Sequence, residues 1–167
     1  MLMLVAAGCG SSTTSPSTPG GPNSSGSTLT ATVDGVAFVG TTVTATYHEG
    51  NDSSSFLVNA VDAGGNLLGF DIAPPLKTAF SATTFPLSSN GSNATFNPAG
   101  TTGNTGWTGF TGPQTGSVIV TSFSKTNKTA SGTFSFVLHN SVSAKTVTNG
   151  TFSVTFDQTS AGAIRRP

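Results

Sequence analysis

Two histidines, His48 and His139, six carboxylates (Asp34, Glu49, Asp52, Asp62, Asp71 and Asp157) and one cysteine, Cys9, stand among 167 residues. From these an acid–base pair, a reactive thiol or a metal site would have to be built. Nucleophilic catalysis needs a hydroxyl or thiol with a base beside it and a group that orients the base. His139 could be matched with many of the serines, but the chain contains no G-x-S-x-G elbow to expose one of them. Zinc requires three or four nitrogen, sulfur or carboxylate ligands, and the two histidines lie far apart in sequence. Calcium takes six to eight oxygens, for which "EGND" at Glu49–Asp52 and "DAGGN" at Asp62–Asn66 are the candidates. Those residue types also serve ordinary hairpin turns. The expectation is a protein with no catalytic residue, no cofactor and no metal, and therefore not an enzyme.

Aromatic side chains offer a different chemistry. "TTGNTGWTGFTGPQTG" at 101–116 is a glycine-rich loop carrying the sole tryptophan, Trp107, together with Phe110. Such rings stack on the apolar faces of sugars or peptides, which makes Trp107 and Phe110 the candidate ligand-binding residues. The competing reading folds Trp107 back as a lid on the core. Charge argues against nucleic acid. Six Lys or Arg balance six Asp or Glu, and the only basic pair, Arg165-Arg166, lies at the end of the chain. A phosphate backbone is held by clustered cations. Asn-x-Ser/Thr triplets, among them those beginning at Asn51, Asn93, Asn127 and Asn149, are expected by chance in a chain with 29 Thr and 23 Ser.

These residues must be positioned by strands. Thr, Val and Phe favour strands, while Gly, Asn and Ser favour turns. No window carries a 3.6-residue apolar period for more than about two turns. Leu29, Ala31 and Val33 alternate with threonines, and Asp34-Gly35 then reads as a tight hairpin turn into Val36–Val39. Val43, Ala45 and Tyr47 alternate next. Phe56, Val58 and Ala60, or Leu57 and Val61 on the other face, follow, then Leu68, Phe70 and Ile72 before Pro74-Pro75. Two short strands are expected around Phe85 and Phe96. The last third predicts strands at Val118–Phe123, Ala130–Leu138 and Thr146–Phe156, with Phe134, Phe136 and Leu138 on one face and Phe152, Val154 and Phe156 on one face. Gly-Thr-Phe-Ser occurs twice here, at 132–135 and 150–153, as though one packing solution were used on two neighbouring antiparallel strands. The prediction is an all-β fold, an antiparallel β-sandwich or flattened β-barrel of about nine or ten short strands. Its strands are mostly too short for a membrane barrel, and no run reaches the length of a spanning helix.

The chain ahead of this domain differs in kind. Ala6, Ala7 and Gly8 run into Cys9 after an apolar stretch, which resembles the lipobox of bacterial lipoproteins; the resemblance implies that Cys9 is lipidated. Residues 1–8 are then a remnant of a signal peptide. As a helix they would span only about 12 Å, and no Lys or Arg precedes them, so the true start is expected upstream. Residues 10–27 are almost wholly Gly, Ser, Thr, Pro and Asn. They bury too little to offset their ordering entropy, and read as a disordered tether of roughly 20–25 Å mean span. The expected organisation is therefore 1–8 signal remnant, 9–27 lipidated cysteine and tether, 28–158 β-domain, and 159–167 disordered tail.

"LTATVDGVAF", with "KTASGTFSF" and "VTNGTFSVTF", resembles an uncharacterised family of bacterial lipoproteins over most of residues 28–157. That resemblance implies an exported, lipid-anchored β-domain and supplies no catalytic residue. The residue after Cys9 is Gly10, not Asp; by resemblance to the lipoprotein sorting rule this implies the outer membrane. The sequence thus points to a cell-envelope domain of structural or adhesive role, contacting the membrane only through its anchor. The alternative is a module that binds a glycan or an extracellular protein through residues 101–116.

Overall fold

The computed structural model describes residues 26–87, 91–101, 106–108 and 113–160, and contains strands and turns without a helix among them. The strands are β1 (Thr28–Val33), β2 (Val36–Glu49), β3 (Ser54–Asp62), β4 (Leu67–Ile72), β5 (Thr84–Pro86), β6 (Asn93–Asn97), β7 (Trp107–Thr108), β8 (Gln114–Ser124), β9 (Thr129–His139), β10 (Ala144–Thr155) and β11 (Asp157–Ser160). The alternation read from the sequence sets which face is dry. Leu29, Ala31 and Val33 of β1 are buried, as are Phe56, Val58 and Ala60 of β3 and Phe134, Phe136 and Leu138 of β9.

All eleven strands form one sheet in the order β5-β8-β9-β10-β1-β2-β3-β4-β6-β7, with β11 added beside β2. Every pairing along that path is antiparallel; β11 runs parallel to β2. The sheet curls into a half-barrel whose two halves face each other. It has the two facing layers of a sandwich, yet hydrogen bonding continues from one to the other, and β5 and β7 end the path without closing it.

The continuity comes from β2. The sequence reads as separate runs at Val36–Val39 and Val43–Tyr47; the structure makes them one strand of 14 residues. Its first four residues pair with β1 and the rest with β3, with a shift of register between Gly40 and Thr42. Space forces the bend there: a Cβ on Gly40 would lie 3.0 Å from Ala60 Cβ and 3.2 Å from the Leu29 carbonyl. Asp34-Gly35 forms the predicted turn, with φ of 48° and 82°, the left-handed pair that a two-residue hairpin requires. Two elements go beyond the sequence reading. β7 and the start of β8 lie within the expected 101–116 loop, and β11 reaches Ser160, past the expected domain end at 158.

Rings fill the space between the halves. Phe70 of β4 meets Phe134 and Phe152 across the layers at 5.5 and 5.3 Å. Tyr47, Phe56, Phe80, Phe123 and Phe156 form a second cluster of mostly edge-to-face pairs, with Phe123 stacked on Phe156 at 5.2 Å. Each buried phenylalanine contributes about 1.5–3 kcal/mol, and each favourable ring pair about 0.5–1.5 kcal/mol more.

The repeated Gly-Thr-Phe-Ser is explained by register. Gly132 faces Phe152, Thr133 faces Thr151, and Phe134 faces Gly150. Each phenylalanine lies over the other copy's glycine, so the contact across β9 and β10 is one of ring on glycine. Both rings then lean onto Phe70. At the seam, Gln114 of β8 completes the ladder of β6: its Oε1 accepts the Ala94 N–H at 2.9 Å and its Nε2 donates to the Ala94 carbonyl at 2.6 Å.

Candidate functional site

Register gives the domain two ends. β1 begins at the lower end, where the Ser27 hydroxyl accepts the Thr155 N–H at 3.1 Å and Phe156 N–H donates to the Lys128 carbonyl at 2.9 Å. The turn between β2 and β3 lies at this end too, because Lys125 pairs with Glu49. The upper end holds the Asp34-Gly35 turn and the Asp62–Asn66 turn, which line one small cleft with Phe96 and Lys145. The two acidic loops considered for calcium therefore stand at opposite ends of the domain. Among the described residues no three His, Cys, Asp or Glu side chains gather as a metal site would need.

Trp107 is at the upper end, half-buried on β7 and packed against the core. Its indole N–H donates to the Ser143 carbonyl at 3.2 Å, the Lys145 ammonium sits 5.1 Å from its ring centre, and Phe96 lies 6.2 Å away. With its donor used and Lys145 over the ring, Trp107 has the surroundings of a lid. Phe110 and Cys9 lie outside the described residues. Lys145 also bonds Asp34 Oδ2 at 2.7 Å, while Asp34 Oδ1 accepts the Thr146 N–H at 2.8 Å. The Lys145 hydrogen bond first, and the Thr146 N–H second, hold the Asp34 carboxyl below its usual range. This is a lock between the β1–β2 turn and β10.

The broad concavity is at the lower end, beside the Glu49–Asp52 turn considered for calcium. It is a groove of about 720 Å³ lined by strand ends (His48, Ser54, Ser55, Thr159, Ser160), by the β2–β3 turn, and by Ala73, Pro74 and Leu76. The His48 ring Nδ1 is 2.5 Å from the Thr159 hydroxyl, which joins β2 to β11. Glu49 has both oxygens engaged, one by Lys125 and the other by Gln158 Nε2 at 3.1 Å. Lys77, in the left-handed region with φ of 64°, donates its N–H to the Asp52 carbonyl at 2.8 Å. That bond ties the 73–79 loop to the turn and leaves neighbouring Leu76 74 % exposed at the groove's rim. Behind Ser55 stands Asp71, whose Oδ1 is buried with no partner among the described residues, and burial raises its pKa. His139 is on β9, in the other half of the sheet, so the structure does not bring the two histidines together.

The described residues thus define an all-β domain of one curled antiparallel sheet around an aromatic core, with its acids and bases dispersed over both ends. A family model, described as Domain of unknown function (DUF6252), matches residues 26–156, and the chain belongs to that family. No curated protein and no solved structure matches it.

Proposed function

We propose that the chain is a non-enzymatic domain of the cell envelope, anchored in the outer membrane through a lipid on Cys9, with a structural or adhesive role. The observation that supports this most is what the charged side chains do. Asp34 and Lys145 lock a turn, Glu49 and Lys125 join two hairpins, and Asp62 accepts both the backbone and the side-chain N–H of Asn66. These are structural tasks, and they spread the titratable groups instead of converging them. The geometry of the ends is compatible with a tether: the domain's first strand starts at the lower end, so the upper hairpins point away from it.

Loss of the gene should weaken attachment of cells to a surface or to one another, and the wild-type gene should restore it. A Cys9→Ala copy should fail to restore it while producing folded protein. Full restoration by Cys9→Ala would overturn the tethered role, and a hydrolytic activity lost with His48→Ala would overturn the non-enzymatic one.

A further inference from the structure

We infer that the lower-end groove is a binding site for a neutral oligosaccharide. Its volume of about 720 Å³ falls within the usual range of small-ligand sites, roughly 300–1,000 Å³. Its walls combine two chemistries. The lining includes Ser53, Ser54, Ser55, Thr159 and Ser160 with His48, and also Pro74 and Leu76. A pyranose presents the same alternation, with hydroxyls around its edge and C–H groups on its faces.

Charge selects against ionic ligands. Among the described residues the one carboxylate in the lining, Glu49, is paired with Lys125 and accepts an N–H from Gln158, and no Lys or Arg lines the groove. An anionic or cationic ligand would lose hydration without gaining an opposite charge. A sugar loses only hydrogen bonds to water, and the hydroxyl wall returns them. One further feature points to a ligand. Leu76 is 74 % exposed on a loop pinned in place through the strained Lys77, so the apolar rim is preformed.

The test is an amide NMR titration of the full chain, expressed without lipidation, using cellohexaose, chitohexaose, maltohexaose and mannohexaose, with trigalacturonate as the charged control. At least one neutral sugar should shift the amides of His48, Ser55 and Thr159 and saturate by about 10 mM, as a millimolar affinity requires. Leu76→Ser should weaken that binding about tenfold without moving the unfolding midpoint, and Ser55→Ala should weaken it similarly. Trigalacturonate should cause no shift. No groove shift with any of the four neutral sugars, tighter binding of trigalacturonate, or shifts centred on Trp107 would each overturn the inference. It is independent of the anchor, which the Cys9→Ala complementation tests separately.

Discussion

Phe152 stands opposite Gly132 on neighbouring strands, and its ring takes part of the space that a side chain at 132 would need: a Cβ there would lie 2.7 Å from Phe152 Cε1 and 2.0 Å from the Ile119 carbonyl oxygen. Gly150 and Phe134 repeat the relationship, with a Cβ at 150 only 2.3 Å from Phe134 Cδ2. Neither glycine has a left-handed φ, so the demand for glycine is one of space. Gly150→Ala should cost about 1–3 kcal/mol by forcing the ring off its rotamer. Urea unfolding checks this, with the outward Ser153→Ala expected within about 0.5 kcal/mol of wild type. Adding Phe134→Leu to Gly150→Ala should cost less than the sum of the two, since the smaller side chain relieves the clash.

Gln114 does the work of a missing strand. Gln114→Leu keeps the side chain's bulk but leaves the Ala94 N–H and carbonyl without their partner at a fully buried position. Two unsatisfied groups cost about 2–4 kcal/mol. Hydrogen exchange at the Ala94 amide should accelerate together with that loss, and an amide that stays protected would show the seam to be held by something else.

Two aspartates should give stability opposite dependences on pH. Asp34 is held below the usual carboxylate range by Lys145 and then by the Thr146 N–H. Its contribution is complete above the unfolded-state pKa and is lost as pH falls through the lower folded value. Asp34→Asn, which still tolerates the left-handed turn, should therefore destabilise at neutral pH and match wild type in acid. Asp71 is raised by burial, so its stabilisation is present in acid and disappears as pH rises through the folded value. Asp71→Asn should stabilise at neutral pH and make no difference in acid. Thermal midpoints across that range check both signs.

Trp107 is expected to act in stability. Trp107→Ala should cost about 1.5–3 kcal/mol through lost apolar burial. The tryptophan emission of the wild-type chain should stay constant when neutral sugars are added, because its N–H and ring already have partners. A saturable emission shift would instead make residues 101–116 a binding loop.

Alternation made the core readable, because each inward residue from Leu29 to Phe156 is local in sequence and needs only a period of two. Asp34-Gly35 was equally legible, since few dipeptides suit its backbone. The bend of β2 was not: Gly40 is a crossing point only because Ala60 and Leu29, both remote in sequence, press against it. β11 was missed because Asp157–Ser160 has no apolar alternation and is held by pairing with β2 and by hydrogen bonds to His48 and Glu49. The lower groove escaped for a related reason. It joins residues near 50, 75 and 160, and no spacing within any of them announces a site. Its one local hint was a run of hydroxyls, Ser53–Ser55, directly after an acidic turn.

The tether is tested most directly by growing cells that make the chain from its own locus with alkyne-tagged palmitate, then purifying it from separated membrane and soluble fractions. The account predicts a labelled wild-type protein in the outer membrane, and an unlabelled Cys9→Ala protein that leaves it. A wild-type chain that carries no label and appears in the soluble fraction would contradict it.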